Sequence, residues 1–206
     1  MRLLIRLFLT CLSIFSFLNL QAQDSTEVQK ESFFNRKGMI AIGFYKINAS
    51  EESYVNKAYD LGEGYEVSAL GYIAPHVVLG ARISVFRGSV TDPTFVGNYY
   101  VTQFNLTGAQ VGYHFFEEKR IQIILQGGLG WVNYRHAKAK AKDFKDSGFS
   151  YYLNPQLSFS IFKWLALYGT LDLRYDKLKV QTAAEIQDAF DQVTYLNTSF
   201  GVRFKL

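Results

Sequence analysis

The side chains in this 206-residue chain whose types suit chemistry are three histidines, one cysteine and a few charges set among apolar residues. A hydrolytic or transfer site needs a nucleophile, a base and a group that orients the base. His76, His114 and His136 have no partner at metal-ligand spacing, and none stands beside a Ser or Cys in a nucleophile motif. Cys11 lies in an N-terminal apolar stretch expected to be removed, which leaves no thiol for a bridge, a metal or a reaction. The expectation is therefore no catalytic residue, no metal and no cofactor. What remains is electrostatic: Glu66, Arg82, Asp172 and Arg174 on polar faces, and a basic run at 135–145 in which His136, Lys138, Lys140 and Lys142 share one side.

The elements that carry these residues follow from hydropathy. Hydrophobic residues make up 49% of the chain and aromatics 17%, yet the mean hydropathy is only -0.02. Averages of that kind arise when apolar and polar residues interleave. Residues 1–22 have Arg2 and Arg6 before an apolar stretch and a small residue, Ala22, near the end, the pattern of an export signal. Residues 23–37 form a polar lead-in. Loss of the signal removes two arginines and lowers the formal charge from +4 to +2, so the basicity is a poor argument for nucleic acid, and none is expected as a partner.

Downstream the dominant period is two. Phe149, Tyr151, Leu153, Leu157, Phe159 and Ile161 alternate with Ser150, Asn154, Gln156, Ser158 and Ser160, and the same pattern returns at 165–176 and 196–206. Weaker versions occupy 39–47, 65–73, 77–86, 103–115 and 121–134. That makes eight strands; in the 103–115 segment the apolar parity switches around Gly108, where a bulge is expected. Tight connections at 74–76, 116–120 and 162–164 alternate with long polar ones at 48–64, 87–102, 135–148 and 177–194, the last holding a short surface helix at 183–190. An all-β, eight-stranded antiparallel up-and-down transmembrane β-barrel over 38–206 meets these conditions, because a spanning sheet must close on itself and offer one face to lipid and one to the lumen.

Aromatics support two membrane rims: Tyr113, Phe115, Phe162, Trp164 and Phe204 at the tight-turn end, and Phe44, Tyr65, Phe86, Trp131, Tyr151 and Tyr175 toward the other. A soluble barrel with an oily interior is the alternative, opposed by Glu66, Arg82, Asp172, Arg174 and Arg203 on the second face. The alternating segments and the ending Phe200-Gly201-Val202-Arg203-Phe204-Lys205-Leu206 resemble the small outer-membrane β-barrel family of Gram-negative bacteria, OmpA- and OmpX-like, with Leu206 where the family usually ends in an aromatic. The resemblance implies residence in the bacterial outer membrane, contact with its lipid including lipopolysaccharide, insertion by the barrel assembly machinery, and a monomer.

Eight strands enclose a lumen that side chains can fill. About the tight turn at 74–76, Glu66 falls nearly opposite Ser84 and diagonal to Arg82, within reach of an ion pair. Asp172 faces Asn154 about the turn at 162–164 and shares its face with Arg174, and His114 falls opposite Gln122. These residues are expected to plug the lumen. The strip His136, Lys138, Lys140 and Lys142 is a candidate for an anionic ligand such as lipopolysaccharide phosphate. The function expected is structural or ligand- and adhesion-binding through long extracellular loops to an unknown extracellular ligand. A narrow pore or small-solute carrier is the alternative, and a lipid-modifying enzyme a more distant one.

Overall fold

Alternation carries the strands well past the ends that hydropathy alone suggests. The computed structural model describes residues 38–137, 144–180 and 190–206. The segments 1–22 and 23–37, the lysines Lys138, Lys140 and Lys142, and all but the last residue of the helix expected at 183–190 lie outside them. Eight strands, β1 (Met39–Lys46), β2 (Tyr59–Ala74), β3 (Val77–Val90), β4 (Val101–Phe115), β5 (Ile121–Ala137), β6 (Phe144–Ser160), β7 (Leu165–Lys179) and β8 (Gln192–Lys205), are joined by two short helices, α1 (Tyr54–Ala58) and α2 (Pro93–Val96). Each strand pairs antiparallel with the next and β8 closes on β1. The fold is therefore the expected up-and-down barrel.

Register fixes its dimensions. The lateral line from Arg203 passes through Ala41, Ser68, Arg82, Gly108, Gly130, Ser150 and Asp176 and returns to β8 at Val193, ten residues up its own strand. With eight strands, that stagger gives a tilt of about 41° and a radius of about 8 Å. A lumen of this radius is filled by side chains. β5 and β6 run for 17 residues each, a rise of about 43 Å at this tilt, whereas a lipid-facing band is about 25 Å tall. The surplus projects beyond the membrane at the long-loop end.

The outward parity carries the apolar belt. Ile40, Ile42, Leu129, Leu153, Leu171, Leu173 and Leu196 are exposed along it, and no described helix is long and apolar enough to cross a membrane. Trp164 stacks between Phe162 and Phe204 at the tight-turn rim, and Trp131 packs edge-on against Phe149 toward the other. Phe86 departs from the expectation. It is 1% exposed and stacks on Phe104 inside the lumen, because β3 residues of even number face inward.

The bulge expected at Gly108 is also absent. β4 keeps unbroken register with β3 and β5 through that position, and Thr102, Phe104, Leu106, Gln110 and His114 all point inward. The apparent switch arises because the inward face is apolar in its upper half and polar below. Register shifts occur in β2 instead, between Leu61 and Gly64 and between Tyr72 and Ala74. Interior volume is matched by large and small residues on facing strands: a Cβ on Gly128 would meet the Ala109 carbonyl oxygen and, at 2.6 Å, the tip of the Tyr152 ring, so the close backbone approach and the ring both call for glycine there.

Candidate functional site: the stratified lumen and its mouth

Inward-facing residues sort into levels along the axis. At mid-height, Arg82 donates to Glu66 Oε2 at 2.8 Å and to Asp172 Oδ1 at 2.6 Å. All three are buried. Glu66 sits on the neighbouring strand opposite Ser84, whereas Asp172 belongs to β7 on the far wall. Asp172 also accepts from the Tyr45 hydroxyl and from Asn154 Nδ2 at 3.3 Å and Asn197 Nδ2 at 3.3 Å. Glu66 accepts from Ser199 Oγ and from the Tyr168 hydroxyl at 3.2 Å. The Arg82 guanidinium lies 5.4 Å from the Tyr45 ring and 5.2 Å from that of Tyr152. Such charges persist away from water only when they are paired, as Arg82 is by its two carboxylates.

Above this level the lumen turns aromatic. Phe86 and Phe104 stack with centroids 4.5 Å apart, Phe104 meets Tyr134 edge-on at 4.5 Å, and Tyr195 meets Phe86 at 5.9 Å. All four are buried. Arg174 is held in this layer. It shares the inward face with Asp172 and bonds to Asp176, two residues along its own strand, at 2.8 Å and 2.5 Å, with Phe86 and Tyr195 rings on its faces. Tyr134 donates to the same Asp176 at 2.7 Å. The aromatic level was not expected from the sequence, although Phe104, Leu106 and Tyr134 share the inward parity of Gln110 and Gln126.

Below the ion pairs the interior is amide-rich. Gln126 donates to Asn154 at 2.8 Å, and His114 shares a 2.6 Å hydrogen bond with Tyr72. His114 pairs directly with Ile124, placing Gln122 on the diagonal. Arg203 is completely buried here, with a 3.0 Å bond to Ser158 Oγ. Among the described residues no carboxylate forms an ion pair with it. His76 occupies the tight turn with φ 62 and approaches Glu117 at 3.4 Å.

His136 is displaced from its expected role. It is not part of a solvent-facing basic strip: β5 residues of even number point inward, so His136 is buried. Its Nε2 meets Asp146 Oδ2 at 3.0 Å and its Nδ1 meets Thr102 Oγ1 at 2.8 Å. The Tyr59 hydroxyl lies beside it at 3.4 Å. A hydroxyl, an imidazole and a carboxylate in line is the order of a nucleophilic relay, but Thr102 is fully buried and offers no surface to a substrate. Among the described residues no three metal-binding side chains converge. The His136–Asp146 pair instead floors a cavity of about 430 Å³ at the long-loop mouth, walled by Tyr54, Phe95, Tyr99, Phe144 and Phe190.

A closed eight-stranded barrel with an outward apolar belt, a filled lumen and tight turns at one end only has a clear counterpart among solved structures. Neisserial surface protein A superimposes with a TM-score of 0.60 at 15% identity, covering 82% of this chain and 97% of that one. This is the fold of the small outer-membrane β-barrels. Ail, the attachment invasion locus protein of Yersinia pestis, matches at 0.52 and 12% identity over 82% of this chain and 99% of its own, in a crystal structure with the heparin analogue sucrose octasulfate. The N-terminal β-barrel domain of Pseudomonas aeruginosa OprF matches at 0.50 and 13% over 83% and 99%. No family model and no curated relative matches the sequence. The OmpA- and OmpX-like architecture thus stands on shape, and the outward apolar belt is that of a barrel that spans a membrane.

Proposed function

We propose that the protein is a closed, non-conducting outer-membrane barrel that displays a ligand-binding mouth at its long-loop end, outside the cell. The observation that carries this reading is the order of levels in the lumen. The aromatic layer lies over the Glu66–Arg82–Asp172 lattice, so among the described residues side chains cross the lumen at two successive levels. Glu66, Arg82, Asp172 and Arg174 act in this reading as cross-braces between walls. The projecting ends of β5 and β6 then supply a stiff frame for recognition, since binding residues work best on loops held by a rigid scaffold.

Lys138, Lys140 and Lys142 belong to the same end and suit an anionic partner such as lipopolysaccharide phosphate. Ail with its bound heparin analogue gives a second polyanion to assay. A monomer inserted by the barrel assembly machinery is consistent with a belt that is apolar around its circumference. Purified barrel in a planar bilayer is expected to show no ion conductance. Photocrosslinking on intact cells from the exposed Tyr100 is expected to capture an envelope or extracellular component. A steady conductance, or crosslinks confined to periplasmic proteins, would overturn the proposal and favour a narrow pore.

A further inference from the structure

We infer that the mouth cavity is a binding site for a small planar aromatic molecule bearing a cationic nitrogen, held by ring contacts and by the Asp146 carboxylate. This deepens the function proposed above and rests on its assignment of the long-loop end as the binding end. At about 430 Å³ the cavity falls within the range of roughly 300–1,000 Å³ typical of small-molecule pockets, with the aromatic rings of its walls set among the polar groups of Thr94, His136 and Asp146. Two fused rings and a short tail fit such a volume.

Three observations select the class. Rings enclose the site on several sides: His136 lies 5.3 Å from Tyr99 and 6.0 Å from Phe144, nearly parallel to the latter, and Tyr54 packs on Phe190 at 5.1 Å. Flat apolar walls favour a flat ligand, and faces rich in π-electrons favour a cation. Next, the charge of the described lining is one-sided. No Lys or Arg lines it, and the Asp146 carboxylate has His136 Nε2 as its sole hydrogen-bond partner among the described residues. Burial pushes the Tyr54 phenol well above its ordinary pKa, so it adds no negative charge of its own. Asp146 is therefore the one acidic side chain that the described lining offers to a cation. Finally, the walls are framed in advance. Ser53 caps α1, Asp92 caps α2, and the Ala58 carbonyl accepts from the Thr91 and Asp92 amides. A preformed wall does not have to be ordered by the ligand, which lowers the cost of binding.

The test uses three probes sharing one indole ring: tryptamine, tryptophol and indole-3-acetate, with cationic, neutral and anionic tails. Binding to the full-length barrel in phosphatidylcholine nanodiscs is measured by calorimetry against empty nanodiscs. Tryptamine is expected to bind at least about tenfold more tightly than indole-3-acetate, as a desolvated ring–cation and carboxylate site requires. Asp146→Asn, close in shape, is expected to erase the preference for tryptamine over tryptophol. Tyr99→Ala, at a loop position outside the strands, is expected to weaken all three probes and keeps the test decisive should Asp146→Asn fail to fold. Equal binding of the three probes, tighter binding of the anion, or binding unchanged in Tyr99→Ala would overturn the inference. A barrel that is silent in bilayers yet binds none of the probes would sink this site while leaving the closed-barrel reading intact.

Discussion

Arg82 on β3 donates to Asp172 on β7 at 2.6 Å, and those strands stand four apart in a ring of eight, on opposite walls. The bond therefore spans the lumen rather than running along the sheet. Because Glu66 holds the same guanidinium from β2, and Tyr45, Asn154 and Asn197 reach Asp172 from β1, β6 and β8, one lattice ties six of the eight strands. A closed sheet of hydrogen-bonded strands can still flatten in cross-section; a polar lattice across its middle resists that.

Breaking the lattice from its cationic centre should be costly. Arg82→Met leaves two buried carboxylates without a counter-charge, a change expected to destabilise by roughly 3–5 kcal/mol. Urea unfolding in lipid vesicles, followed by the faster-migrating unboiled band, measures it. The triple variant Arg82→Met, Glu66→Gln, Asp172→Asn is expected to recover most of the loss. If the single variant unfolds at the parental urea concentration, the lattice does not brace the barrel.

Arg203 makes the opposite case. It is as buried as Arg82 but bonded to Ser158 without a carboxylate among the described residues. Desolvating a charge without an ion partner costs several kcal/mol. Arg203→Met keeps much of the length and drops the charge, so it is expected to hold or raise the unfolding midpoint in the same assay. A fall comparable to that of Arg82→Met would show that Arg203 has a stabilising partner after all.

Much of the barrel is legible in the sequence, and two of the departures, at Phe86 and at Gly108, share a cause. Alternation alone gives eight strands, the tight turns, and the placement of Glu66 opposite Ser84, because turn length sets register and register sets neighbours. Hydropathy does not say which inward residues are polar. An oily residue at an inward position looks like a break in the pattern, so Phe104 and Leu106 suggested a bulge at Gly108, and Phe86 was assigned to an outer rim. The same blindness hid the aromatic level. His136 has another cause: the parity of its strand points it inward, but hydropathy ends that strand at residue 134, and a side chain beyond the end reads as one in a loop. Its partner Asp146 lay in a segment expected to be loop, and no spacing rule links residues paired across a hairpin whose length is not known.

The aromatic level can be separated from the ion-pair level. Phe104→Ala removes a ring packed on Phe86, Tyr134 and Tyr59, which should cost about 3–5 kcal/mol for a fully buried Phe. It should not open a pore, since the Arg82 lattice still crosses the lumen beneath. Bilayer recordings that become conducting on this substitution alone would mean that the rings, not the ion pairs, hold the lumen shut.

The wall of the mouth cavity formed by α2 should respond to acid through its cap. Asp92 Oδ1 accepts from the Thr94 amide at 2.9 Å and the Thr94 hydroxyl at 2.5 Å, and those bonds hold its carboxyl below the usual range. A carboxyl whose pKa is depressed by folding adds its stabilisation above the ordinary value and loses it as pH falls through the folded one. The Thr94 amide resonance in nanodiscs is therefore expected to shift with a midpoint below that of an ordinary aspartate. Asp92→Asn retains a capping oxygen but cannot titrate, so it should abolish that transition while keeping the resonance near its neutral-pH position. Asp92→Ala should show the uncapped shift at every pH. A Thr94 transition that survives in Asp92→Asn would assign it to another group and remove Asp92 as the acid-sensitive clasp on this wall.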